Sequence, residues 1–93
     1  MSAAGKRWMA RVADLPCVVC RKMSVAQNGQ TFVHHCFDNA RRSDFLVIAL
    51  CYEHHQGGTG FHGMGERAFN MRYKTDETQL VGKTVELVAS SIG

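Results

Sequence analysis

Four cysteines and five histidines fall into a few short clusters, and their spacing constrains this 93-residue chain more than any other feature. Cys17-Val18-Val19-Cys20 forms one cluster. Val33-His34-His35-Cys36, Leu50-Cys51-Tyr52-Glu53-His54-His55 and Phe61-His62-Gly63 hold the rest. Thiols and imidazoles this dense in a small chain point to metal ligation rather than to scattered surface histidines and core cysteines.

Length alone leads to the expectation of one domain over residues 1–93, with a core at 15–75 and a C-terminal helix at about 76–90. A core of that size is marginal without help. The cysteines can supply it as disulfides, which need an oxidising compartment, or as a zinc site. Residues 1–5 carry no apolar run of the kind a secretion signal needs. No stretch approaches the roughly 20 apolar residues of a membrane span. The expectation is a cytoplasmic protein with reduced thiols and no membrane association.

The net charge of +3 permits a nucleic-acid partner, and the distribution of charge matters more than its sum. Basic residues gather at Lys6, Arg7 and Arg11, at Arg21 and Lys22, at Arg41 and Arg42, and at Arg67, Arg72 and Lys74. Arg41, Arg42 and Arg67 are the candidate DNA contacts.

Trp8, Val12 and Leu15 recur at helical spacing, which predicts a short N-terminal helix ending near Asp14, before Pro16. Trp8 reads as a core anchor. Cys17-x-x-Cys20 fits a zinc knuckle better than a redox pair, because Pro16 precedes it and polar residues follow. Met23–Gln27 and Gln30–His35 read as the arms of a hairpin turning at Asn28-Gly29. Successive strand residues point to opposite faces, so His34 and His35 are aimed differently. Residues 37–44 read as a polar loop, and Phe45–Leu50 as a buried strand leading to Cys51 and a helical turn. Gln56–Gly60 reads as a flexible turn; without the Lys-Ser/Thr of a phosphate loop it does not suggest nucleotide binding. Gly65–Lys74 is a predicted helix with Phe69 and Tyr73 facing inward. Asp76-x-x-Gln79 resembles a capping box. It opens a last helix with the stripe Leu80, Val81, Thr84, Val85 and Val88.

Two metal sites can be assembled from these pieces. Cys17, Cys20, Cys51 and His54 form a C-x-x-C … C-x-x-H set, a structural zinc arrangement with no place left for substrate. Cys36 is either a substitute ligand or a small buried hydrophobe. His34, His55 and His62 are three imidazoles suited to a catalytic divalent ion, Mg²⁺, Mn²⁺ or Zn²⁺. His35 beside them is placed to act as a general base on water.

The order of His34-His35, a polar loop, Asp44, an apolar run and Cys51-x-x-His54-His55 resembles the HNH nucleases with their ββα-metal motif. More closely, the chain is similar to the small phage and prophage HNH proteins of the Ref type, the RecA-dependent recombination-enhancement nucleases. The matching pieces are Leu15–Cys20, His34-His35, Ser43-Asp44-Phe45, Leu50–His55 and Gly60–Gly63, and the similarity continues through Phe69 and Tyr73 to Leu80. The chain departs from the HNH pattern where His54 stands in place of the last cysteine. The resemblance implies an α+β fold: a small zinc-stabilised ββα-metal domain with an N-terminal helix and C-terminal helices. It implies that His35 is the general base, and that His34, His55 and His62 hold the catalytic metal. The family's asparagine, which orients the base, has no counterpart shortly before Cys51; Asp44 is the nearest match and Asn39 the alternative. The expected function is metal-dependent DNA cleavage in recombination or DNA processing, with DNA and a RecA-type filament as partners. The rival expectation is a non-catalytic zinc module that binds DNA or protein.

Overall fold

The computed structural model describes residues 2–37 and 43–92. It is a small α+β fold, with one two-stranded sheet surrounded by helices. The first helix, α1, spans Ala3–Ala13. Ser2 caps it by accepting the Gly5 N–H at 2.9 Å. Val12 is buried, and Lys6, Arg7 and Arg11 face solvent. Trp8 is half-buried against the core, with its ring centroid 5.9 Å from that of Phe45.

Cys17 ends the extended link through Pro16 and is the N-cap of α2, Val18–Met23. A helix therefore begins inside the C-x-x-C pair and runs past Cys20, where polar chain was expected. Ser24 closes it in the left-handed region, and the Val25 N–H bonds back to the Cys20 carbonyl at 3.0 Å. This Schellman-type ending takes up Met23 to Val25, so the expected first hairpin arm does not form. The Asn28-Gly29 signal is a turn without a strand before it. Gln27 pins this segment instead. Its side-chain carbonyl accepts the Cys17 N–H at 2.7 Å, and its amide donates to Thr31 Oγ1 at 2.9 Å.

The strand β1, Thr31–His35, pairs antiparallel with β2, Val47–Cys51. His34 lies opposite Ile48 and His35 opposite Val47. All five residues of β2 are buried, because α1, α2, the short helix α3 (Tyr52–His55) and the last helix pack against it. The apolar run thus forms a buried strand from Val47 on, as its composition predicted, whereas Phe45 and Leu46, expected to be part of it, precede the strand and are exposed.

The turn after α3 leads into α4, Phe61–Met64, then α5, Glu66–Tyr73, and α6, Glu77–Ile92. The turn was expected to be flexible; it is closely packed. A Cβ on Gly63 would fall 1.9 Å from the Gly57 carbonyl oxygen, so this approach of two backbones requires glycine. Phe69 and Tyr73 of α5 are buried, as their spacing predicted. Asp76 caps α6 by accepting the Gln79 N–H at 2.8 Å. Leu80, Thr84 and Val88 form its inward stripe, while Val85 is exposed at 41%. The inward face turns by about 100° per residue, which carries Val85 past its edge.

Candidate metal centre and histidine cluster

Cys17, Cys20, Cys51 and His54 converge from three elements. Cys17 and Cys20 lie on the first turn of α2, Cys51 ends β2, and His54 is one helical turn further on. Cys20 Sγ is 3.7 Å from Cys51 Sγ. The Nδ1 of His54 is 3.6 Å from Cys17 Sγ, 3.5 Å from Cys20 Sγ and 3.3 Å from Cys51 Sγ. A tetrahedral ion with Zn–S of about 2.3 Å and Zn–N of about 2.0 Å separates its ligand atoms by roughly 3.5–3.8 Å. The observed edges fit that size, and these four buried residues can bind a metal such as zinc. Burial pushes the Cys17 and Cys20 thiols up and the His54 imidazole down. A cation among them reverses the thiol preference and holds them as thiolates. The Cys20 N–H, directed at Cys17 Sγ at 3.4 Å, favours the same charge state. Cys36 is buried elsewhere, grouped with His34 and Glu77.

His34, His55 and His62 form the second cluster. Each offers a ring nitrogen within 4.8 Å of the other two. β1, α3 and α4 each contribute one of them. The ring centroids of His34 and His55 are 5.3 Å apart, those of His34 and His62 5.2 Å, and those of His55 and His62 4.8 Å. Phe61 packs on His34 at 4.5 Å and shields the buried side of the cluster. Burial lowers His34 to about 4, with further depression from His55, His62 and His35. Burial, and then His62, lowers His55. Both rings are thus held in the neutral form that can donate a lone pair. The Nε2 of His34 and the Nδ1 of His55 are buried without a hydrogen-bond partner. Two orphaned nitrogens side by side are the arrangement that a divalent ion would satisfy.

His35 points to the other face of β1 and meets Asp44, with Nε2 3.1 Å from Oδ1. Both side chains are about one-fifth exposed, with 21% for His35 and 22% for Asp44. Gly5 of α1 makes room for this pair, since a Cβ there would lie 2.9 Å from Asp44 Oδ2. Among the candidate DNA contacts, Arg67 is exposed on α5. Arg41 and Arg42, like the alternative Asn39, lie outside the described residues.

Several contributors were not visible in the sequence. Glu77 is buried at 5% exposure and accepts the Phe37 N–H at 2.7 Å. It thereby ties the start of α6 to the chain leaving His35. Tyr73 donates its hydroxyl to the Thr59 carbonyl at 2.7 Å and sets its ring edge-on to His54 at 5.3 Å. It therefore links the cysteine cluster to the turn that carries His62. The position of Glu77 on the inward stripe, one turn before Leu80 and Val81, was the only available hint.

No helix of the structure is long and apolar enough to cross a membrane. No curated protein and no solved structure matches the chain. A family model described as "recombination enhancement, RecA-dependent nuclease" matches residues 1–89. With nearly the whole chain matched, and its cysteine and histidine clusters assembled within that span, the protein belongs to the family of RecA-dependent recombination-enhancement nucleases.

Proposed function

We propose that the protein is an HNH-type endonuclease that hydrolyses DNA phosphodiester bonds, with zinc holding the fold and a divalent ion at the histidine cluster. The observation that carries this reading is the division of labour across β1. His34 faces a set of imidazoles with orphaned nitrogens, while its neighbour His35 faces a carboxylate. The antiparallel pair β1–β2 running into α3 is compatible with a ββα-metal core.

In this reading His34, His55 and His62 would hold the ion, which would supply stabilisation of the negative charge that develops on the scissile phosphate and the leaving oxygen. Asp44 accepts the Nε2–H of His35, which fixes the tautomer and leaves Nδ1 with its lone pair. Nδ1 takes a proton from a water molecule as that water's oxygen bonds to phosphorus and the bond to the leaving sugar oxygen breaks, the departing oxygen taking its proton from solvent. Asp44 then stabilises the imidazolium, and so takes the orienting role of the HNH asparagine. The phosphate backbone is held by basic side chains, for which Arg41, Arg42 and Arg67 are the candidates. Cleavage serves recombination or DNA processing, directed by a RecA filament and encoded on a phage or prophage.

The test is plasmid and RecA-coated single-strand cleavage with Mg²⁺, Mn²⁺ or EDTA, comparing wild type with His35→Ala. EDTA and the substitution should each stop cleavage, with zinc content and fold unchanged in the variant. Wild-type-like cleavage by His35→Ala would remove His35 as the base. One tightly bound zinc with no cleavage under any condition would leave the non-catalytic zinc module.

A further inference from the structure

We propose that the groove between α2 and α6 is a protein-docking site, and that it takes an acidic segment of the recombinase filament carrying a bulky apolar side chain. The inference rests on the RecA dependence of the proposed function and adds to it a surface and a chemistry of recognition.

The groove has a volume of about 330 Å³. Val18 and Leu80 are buried in its floor, and Leu87 is half-buried beside them. Arg21 and Lys22 from the last turn of α2 stand on one wall, with Lys83 of α6 on the other. Glu86 is the one acidic residue of the lining, and it lies 3.3 Å from Lys83. Both of these side chains are about 70% exposed, and an exposed pair of this kind contributes little and opens readily. Three cations against one anion make the rim complementary to carboxylates.

The floor decides between kinds of macromolecule. Grooves for single-stranded nucleic acid place aromatic rings among their basic residues, so that bases can stack. Among the described residues, no aromatic side chain lines this groove. Its aliphatic floor offers burial to an apolar side chain, the usual anchor of a peptide or protein contact. Its position matters too. The histidine cluster is carried by β1, α3 and α4, and none of these lines the groove. A filament subunit can therefore occupy the groove while DNA reaches the histidines. Cys17 and Cys20 bracket Val18 at the base of α2, so a loaded metal site holds one wall of the groove in place.

The test is binding of the zinc-loaded protein to RecA filaments assembled on single-stranded DNA, compared with the same DNA without RecA. Arg21, Lys22 and Lys83 are exposed, so the double substitution Arg21→Glu with Lys83→Glu should leave zinc content and melting temperature unchanged. Filament affinity should fall by roughly tenfold or more, mainly through a slower on-rate and a flatter salt dependence. Affinity for bare DNA should fall far less than affinity for the filament. Unchanged filament affinity would overturn the proposal. An equal loss on bare DNA would also overturn it and assign the groove to nucleic acid. His35→Ala serves as the separate control. It should bind the filament like wild type, so failure of the nuclease reading would show as absent wild-type cleavage with the groove comparison intact.

Discussion

His54 and His55 are neighbours in the chain but belong to different clusters: His54 Nδ1 lies 3.3 Å from Cys51 Sγ, while the His55 ring lies 4.8 Å from that of His62. One turn of helix, α3, therefore carries a member of each cluster. Loss of the first site should disable the second. Cys51→Ser should release the metal and lower the melting temperature by well over 10 °C, given that structural zinc contributes on the order of 10 kcal/mol to small domains. Cleavage should disappear with it. Metal analysis alongside circular dichroism checks this. A variant that lost zinc yet kept a wild-type melt and wild-type cleavage would show that the two sites are uncoupled.

The contact between Gly5 and Asp44 allows the carboxylate proposed to orient His35 to be moved without touching it. Ala at position 5 suits α1 by about 1 kcal/mol. Its Cβ would nevertheless meet Asp44 Oδ2 at 2.9 Å and push the carboxylate away from His35. Gly5→Ala should therefore keep or raise stability and lower the cleavage rate several-fold. Asp44→Ala should cost more, within the roughly 100- to 10,000-fold span of general-base assistance. Single-turnover cleavage rates beside thermal melts separate the two effects. Full activity in Asp44→Ala would remove the orienting role.

Glu77 anchors the chain just beyond the histidine pair. Replacing Glu77 removes its hydrogen bond to the Phe37 N–H, worth about 1–3 kcal/mol for a carboxylate acceptor. Glu77→Ala should show that loss in urea unfolding, and Glu77→Gln should recover part of it because its carbonyl oxygen can still accept. Equal stability of all three proteins would mean that the contact contributes nothing.

Acid should destabilise the protein through His34. Its folded-state value is about 4 because of burial, against 6.5 for the free side chain. Between those values the unfolded chain binds a proton that the folded chain does not, so stability falls as the pH drops from 6.5 towards 4. His34→Asn removes this titration. Its stability relative to wild type should therefore improve progressively on acidification across that window, while loss of zinc affects both proteins alike. A difference between the two that stays constant with pH would contradict the assignment.

The members of the cysteine cluster were legible because the chemistry is local. C-x-x-C and C-x-x-H place donors one turn apart whatever the surrounding fold, and few other residue types can do the same. The histidine cluster was legible for a related reason: four imidazoles remain once His54 joins the cysteines, and strand alternation turns His35 away from His34. The buried strand β2 followed from an unbroken apolar run, apart from its first two residues, and α1 and α5 followed from their periodicity. Arg67 proved exposed, whereas Arg41 and Arg42 lie outside the described residues.

The hairpin was misread because Asn28-Gly29 is a strong local signal, but pairing is decided by which strand can be buried. Val47–Cys51 offers β1 a wholly buried partner, while Met23–Val25 is already committed to ending α2. Glu77, Tyr73 and Gly5 act on the site from 40, 14 and 39 residues away from their partners Phe37, Thr59 and Asp44. The sequence alone determined which side chains can ligate metal and that β1 sends His34 and His35 to opposite faces, because both follow from spacing and backbone geometry. Tertiary structure alone decided which elements enclose them, which carboxylate meets His35 and what holds the turn before His62, because those depend on contacts between segments that chain order does not bring together.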